Sequence, residues 1–284
     1  MATAAGISTR PLRSAATASR VAFGALLLRD LAVLRKNVVE FVLRTLIQPF
    51  LLVFVFLYVF PEIGQSVGGG RGAASFATVL VPGVVGISVM FQGVQSVALT
   101  LAQEFGFTRE IEDRVQAPCP VWLVAVAKVV SGVIQGLLAA AIVFPIAAVI
   151  HAGGVHPVFD VRWWVVVTLV PLTCVAFSSL GLLLGCSFEP RNIGLMFGFI
   201  VLPITFLGGT YYQWTRLSSV KVGGFPWLQT LVLVNPLIYV NEGMRAAFTD
   251  IPHMHLYVIY PVLVGFCALF LTLGIRAFRG RVLS

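Results

Sequence analysis

Few side chains in this chain could do covalent chemistry: 284 residues hold 11 Asp and Glu, 4 His and 4 Cys. The densest acidic group, Glu110-Glu112-Asp113, has the type of residue that chelates Mg²⁺. Enzymes that use such a cluster need a second one facing it from another loop, and the sequence offers none. His253 and His255 flank Met254, but nothing supplies the rest of a metal-ligand set. Gly68-Gly69-Gly70-Arg71-Gly72 has the glycines of a phosphate loop without the Gly-Lys-Ser/Thr ending or a preceding buried strand. It reads as a flexible turn, and no nucleotide-hydrolysing motif occurs elsewhere. Cys119, Cys174, Cys186 and Cys267 lie in or beside apolar runs without metal-ligand spacing, so free thiols and no metal are expected. These patterns speak against a membrane-embedded enzyme.

The remaining polar residues of interest recur at helical spacing inside apolar runs. Glu40, Arg44 and Gln48 share one helix face. A charge at the centre of a bilayer costs about 2.5–3.5 kcal/mol on insertion scales, so Glu40 and Arg44 are expected to form an intramembrane ion pair near one end of their span. Ser88, Gln92, Gln95, Ser96 and Gln103 recur in a second run, and Lys128, Ser131 and Gln135 in a third. Two readings stay open for them. Hydrogen bonds between helices are one; a polar stripe lining a translocation path, with Gln92, Gln95, Ser96, Ser131 and Gln135 as its members, is the other.

The elements that must hold these residues follow from composition. Hydrophobic residues make up 58% and charged residues 11%, and mean hydropathy is +0.97. A soluble domain is about 25% charged, so this chain cannot cover a water-exposed surface and belongs in lipid. About 20 residues cross the hydrocarbon as helix. Six stretches qualify: 38–60, 76–102, 121–150, 163–186, 193–213 and 254–275. The apolar segment 227–241 is short, contains Asn235-Pro236, and is expected to re-enter or lie at the interface rather than cross. With both termini cytoplasmic, only Arg71, Arg162, Arg216, Lys221 and Arg245 of the 19 Lys and Arg lie outside. The positive-inside rule therefore supports a multi-pass protein of the cell membrane with both ends in the cytoplasm. Gly132-x-x-x-Gly136, Gly181-x-x-x-Gly185 and Gly194-x-x-x-Gly198 fit close helix packing.

The net charge of +8 suits anionic lipid headgroups better than nucleic acid, because the aromatics lie inside apolar runs. Residues 1–19 carry no signal-peptide core and are expected to be a disordered cytoplasmic tail. Residues 20–37 place Val21, Leu27, Leu28, Leu31 and Leu34 on one side and Arg20, Arg29, Arg35 and Lys36 among the rest. That pattern predicts an amphipathic helix in the interface, ahead of a transmembrane domain at 38–284. The outer segment 214–253 is the longest connection, and loops of that size carry function or structure of their own.

Residues 104–118 are the most informative. Glu104, Arg109, Glu110, Glu112, Asp113 and Arg114 surround Ile111, and Pro118 and Pro120 follow. A solvated turn is one reading; a short helix that docks on a partner through salt bridges around one apolar knob is the other. This segment, Arg109-Glu110-Ile111-Glu112-Asp113-Arg114-Val115-Gln116-Ala117-Pro118 with Lys128 in the next span, resembles the pattern of ABC-2 type transporter permeases. Phe206-Leu207-Gly208-Gly209-Thr210-Tyr211-Tyr212 resembles the ending of that family's fifth span. Asn235-Pro236-Leu237-Ile238-Tyr239-Val240-Asn241-Glu242-Gly243-Met244-Arg245 resembles its Asn-Pro-Leu-x-Tyr segment before the last span. The likeness covers residues 20 to 280 and is nearest to daunorubicin-resistance-type exporter permeases of high-GC Gram-positive bacteria.

The resemblance implies an all-α membrane domain of six spans with short re-entrant helices before the last. It implies a transport subunit that moves a hydrophobic or amphipathic cargo, drug or lipid-like, outward. A glycolipid or polysaccharide is the alternative cargo. The chain itself would hold no cofactor, with ATP and Mg²⁺ bound by a partner ATPase subunit, and a second permease would complete a homodimer or heterodimer. Residues 109–114 would be the coupling element in the ATPase groove, and Tyr211, Tyr212, Asn235 and Pro236 would belong to an outer gate. Tyr211-Tyr212-Gln213-Trp214 departs from the Phe-Phe-Pro-type ending common in the family. An ion-coupled secondary transporter, the remaining class, would show mid-membrane ionisable residues and internal repeats, and neither is evident.

Overall fold

The computed structural model describes residues 14–63, 71–106, 111, 119–149 and 159–283. Among these the chain is helical, and its one β-bridge, Val222 to Phe225, closes a turn. A first helix, α1 (Ala15–Lys36), is followed by α2 (Val38–Val59), α3 (Arg71–Gly106), α4 (Val121–Val149), α5 (Trp163–Ser187) and α6 (Pro190–Leu207). Two shorter helices, α7 (Trp227–Leu231) and α8 (Pro236–Phe248), precede α9 (Leu256–Leu283). Six of these, α2 to α6 and α9, are long and apolar enough to cross a membrane.

The helix starts and stops follow local chemistry. Ser14 Oγ accepts from Thr17 N at 3.3 Å and caps α1, so residues 15–19 form its first turn rather than a disordered tail. Asn37 separates α1 from α2, with Arg35 and Lys36 against the C-terminal end of the α1 dipole. The apolar stripe expected on α1 packs in part, with Leu27, Leu31 and Leu34 half-buried. Leu26 is buried, with Phe23 and Leu27 half-buried beside it, while Val21 and Leu28 are exposed. Asp30 lies on the packed side, where it meets Lys128 of α4 at 3.4 Å.

The bundle is organised around α3, whose apolar window is 94% buried, against 67% for α5, 22% for α2 and 17% for α6. Glycine explains how α3 and α5 come so close. A Cβ at Gly181 would lie 2.8 Å from Val94 O, and one at Gly185 would lie 2.9 Å from Ala98 Cα. Gly136 meets Cys174 in the same manner, so two of the three small-residue motifs mark real helix contacts. Gly194 and Gly198 face open space. Both α2 and α6 contain one π-helical turn, at Val55–Val59 and Phe197–Val201.

Two hydrophobic cores result. The larger runs through the bundle and centres on Leu80, Ile87, Met90, Leu169 and Phe177. The smaller joins Leu26, Leu101, Ile111, Val124, Leu182 and Phe278. It gathers α1, the ends of α3, α5 and α9 and the start of α4, so the described chain begins and finishes at one end of the bundle. There Arg281 Nη1 donates to Phe188 O (2.6 Å) and Cys186 O (3.0 Å), neutralising the C-terminal end of α5.

The stretch between α6 and α9 holds short helices before the last span, as the family resemblance implies. The short apolar piece expected at 227–241 divides into α7, a 3₁₀ turn at Val232–Val234 and α8, which runs on to Phe248. With 13 residues α8 is about 20 Å long, too short to cross 30 Å of hydrocarbon, yet every residue in it is buried. Its start is deep: Asn241 abuts Gly86, near the middle of α3, and the Tyr239 ring lies 6.2 Å from Phe266 of α9. Its finish is at the bundle end, where Asp160 and Arg162 donate backbone hydrogen bonds to Phe248 O and Ala247 O. Thus α8 is a half-helix inserted among α3, α5 and α9.

Candidate functional site

Polar residues concentrate at two places, one at each end of the bundle. At the end holding α1, Lys128 reaches from the first turns of α4 to Glu104 Oε1 at 2.6 Å and Asp30 Oδ2 at 3.4 Å. Lys128 is 3% exposed, so the two carboxylates supply the charge partners that water would otherwise give. One lysine therefore ties three elements, α1, α3 and α4.

Beside this triad opens a cavity of about 350 Å³, between α1, the start of α2, α3 and α4. Ser96, Ser131 and Gln135 line it, as do Glu40 and Arg44. Gln92 lies one turn further along α3. Its Oε1 accepts from Thr45 Oγ1 at 3.1 Å and its Nε2 donates to Gln135 Oε1 at 3.3 Å, joining α2, α3 and α4. Gln92 thus takes part in bonding between helices while its neighbours face open volume. Ser96 Oγ also donates to Gly93 O of its own helix. Gln95 is half-buried and stands apart from the cavity lining.

Glu40 and Arg44 do not form the ion pair expected from their spacing: neither is in a salt bridge among the described residues. Both are exposed and open onto the cavity, so no desolvation forces them together. Ile111 is also placed differently. Read as an outward apolar knob, it is 5% exposed and packed into the smaller core with Leu26, Leu101 and Phe278. Burying it there removes an apolar side chain from water without any partner protein. Arg109, Glu110, Glu112, Asp113 and Arg114 lie outside the described residues.

The opposite end holds a cluster that sequence reasoning missed. Glu242 and Arg245, one turn apart on α8, are both 0% exposed and pair at 2.8 Å. Glu242 Oε1 also accepts from Trp214 N (2.9 Å) and Oε2 from Met254 N (3.0 Å). Arg245 Nη2 donates to Gly209 O and Thr210 O. Asn241 Nδ2 donates to Gly208 O at 2.8 Å and Thr210 Oγ1 at 2.9 Å. One face of α8 thereby fastens the turn after α6 and the segment before α9. The turn needs glycine, since Gly209 has a φ of 71°. Arg245 had been counted among loop charges; the visible signal was an acid and a base three residues apart inside an apolar run after Asn-Pro.

The expected gate residues surround this cluster. Asn235 caps α8, its Oδ1 accepting from Leu237 N at 2.9 Å, and its Nδ2 donates to Ile204 O of α6 at 2.7 Å. Pro236 follows as the first helical residue, where its missing N–H is no loss. The Tyr211 ring lies 5.7 Å from Phe56 of α2 and 6.4 Å from Phe206. Tyr212 Oη donates to Phe206 O at 3.4 Å. At the other end of α8, Arg162 donates to Ala246 O and pairs with Asp250 at 2.6 Å, a cation placed on the helix C-terminus.

A sequence model of the ABC-2 type transporter matches residues 21–249. The chain is similar to "Inner membrane transport permease YadH" of Escherichia coli strain K12, at 32% identity over 232 residues, which is 80% of this chain and 84% of the relative. The protein of that name from Shigella flexneri matches over the same extent with the same identity.

Proposed function

This chain belongs to the ABC-2 type transporter family, and from that premise we propose that it is the permease half of an ATP-binding-cassette exporter in the cell membrane. Its nearest functional type is the daunorubicin-resistance exporter, with a hydrophobic or amphipathic cargo, drug or lipid-like, carried outward. ATP and Mg²⁺ sit on a separate ATPase subunit, a second permease completes the transporter, and both termini face the cytoplasm. The segment 104–118 is the coupling element, Gln92, Ser96, Ser131 and Gln135 border the path, and α8 with Tyr211 and Tyr212 forms the outer gate.

The observation that carries this reading is the seat of Ile111. It belongs to one core with α1, α3, α4, α5 and α9, so a displacement of its segment acts on three of the four helices that surround the charged cavity, α1, α3 and α4. The Lys128–Glu104 bridge, at the start of the same segment, makes the second link. The test reverses Glu110 and Glu112 to Lys in the full chain. Co-purification with the cognate ATPase and ATP-driven transport in vesicles should both fall to background while membrane insertion stays intact. Full binding and transport by the double variant would remove this segment as the coupling element.

A further inference from the structure

The cavity beside Lys128 has a chemistry that packing alone does not explain. Glu40 and Arg44 lie on one face of α2, about 6 Å apart along its axis, and both open into it. Among the described residues neither forms a salt bridge, although their spacing would allow one. Lys128 is already held by Glu104 and Asp30. Arg29 also lines the cavity and has a contact of its own, which leaves Glu40 and Arg44 as opposite charges held a helical turn apart.

Glu40 and Arg44, with Lys36 and Asn37, also border a second, open groove of about 550 Å³ on the outer flank of α2. That flank is apolar: Val39, Leu43 and Ile47 are 70%, 61% and 62% exposed. A polar chamber and an apolar groove thus share one charged rim at the end of a span, at the level where lipid headgroups meet chains. We propose that this rim is a binding site for a phosphoethanolamine-type phospholipid. The phosphate lies on Arg44, the ammonium on Glu40 and the acyl chains along Val39, Leu43 and Ile47. A guanidinium takes a phosphate through paired N–H donors. A primary ammonium brings three donors to the carboxylate, which a trimethylated amine lacks. Lys36 adds a second cation to the groove, so an anionic lipid can also be held there; the contact of an ammonium with Glu40 is what sets an ethanolamine lipid apart from a choline lipid. The proposal concerns binding and stands whether or not ATP drives the chain.

Native mass spectrometry of the full chain, delipidated in mild detergent and titrated with defined lipids, tests it. Phosphatidylethanolamine should bind in preference to phosphatidylcholine, and water-soluble glycerophosphoethanolamine at equal concentration should not displace it. Arg44→Gln should weaken phosphatidylethanolamine and phosphatidylcholine alike, by about tenfold. Glu40→Gln should instead erase the preference for ethanolamine over choline. Leu43→Gln should weaken binding without changing headgroup preference. Arg276→Gln, an exposed basic residue of α9 outside the site, should change nothing. Equal binding by wild type and the Glu40→Gln/Arg44→Gln variant, with both eluting as folded protein, would overturn the assignment. So would equal wild-type binding of the ethanolamine and choline lipids, or displacement by the free headgroup.

Discussion

Glu242–Arg245 and Glu40–Arg44 are each an acid followed about one turn later by an arginine, yet they behave oppositely. The first pair is wholly enclosed, and its remaining lone pairs and donors are spent on Trp214, Met254, Gly209 and Thr210. The second pair stays apart at the rim of an open cavity. Helical spacing makes a pair possible in both; enclosure decides whether it forms. An enclosed charge without a partner is far more costly than an exposed one, so burial enforces pairing at one end and leaves the other end free to meet a ligand.

Breaking the enclosed pair should have the largest effect. Arg245→Met leaves Glu242 charged in an apolar setting and should cost about 3–5 kcal/mol, the usual penalty for removing one partner of a buried pair. Thermal unfolding in detergent, followed by the emission of Trp214, would read it. The double variant Glu242→Gln/Arg245→Met should recover part of the loss. A single variant with unchanged Tm would show that the pair holds nothing.

Lys128→Met should come next. It leaves Glu104 beside Asp30 with no cation between them, but Asp30 is 12% exposed and can draw on solvent. A loss of about 1–3 kcal/mol is expected, as for an unsatisfied polar group. Limited proteolysis should then find α1 released from α4 before the rest of the bundle opens. Release of α9 first would contradict the tie.

The smallest effect is expected at Gln92→Leu. Hydrogen bonds between membrane helices average about 0.6 kcal/mol, so Tm should hardly move. Transport in vesicles, however, should fall if the cavity next to Gln92 carries cargo. A variant that lost stability and kept full transport would assign Gln92 to packing alone.

The sequence made the spans legible because crossing a bilayer is a demand on length and apolarity, both of which are local. Five of the six expected stretches begin within three residues of the observed helices, and 76–102 falls inside α3. The misplacements share a different cause. Arg245 reads as a loop charge unless its partners are known, and these lie far away in sequence, at Gly209 and Thr210. Ile111 reads as an exposed knob because its neighbours in sequence are charged, while the residues that bury it come from α1, α3 and α9. Asn235-Pro236 reads as a break in a segment that re-enters or lies at the interface, and in the fold it starts a buried half-helix. Local pattern specifies elements; enclosure by distant elements settles the fate of individual charges.

The π-helical turns of α2 and α6 carry a mechanical consequence. Each takes one residue more than the α-helical turn it replaces. Shifting such a turn along its helix by one residue rotates whatever lies between by about 100° and advances it by about 1.5 Å, with nearly all backbone bonds kept. By contrast α3 and α5, pinned glycine to backbone, contain no π turn; Pro82 and Pro171 each remove one bond from the ladder without adding a residue to a turn. The bundle is thus a stiff post flanked by two threaded rods: α2, which bears the charged rim, and α6, which leads into the turn held by Arg245, can turn like screws while the post stays still.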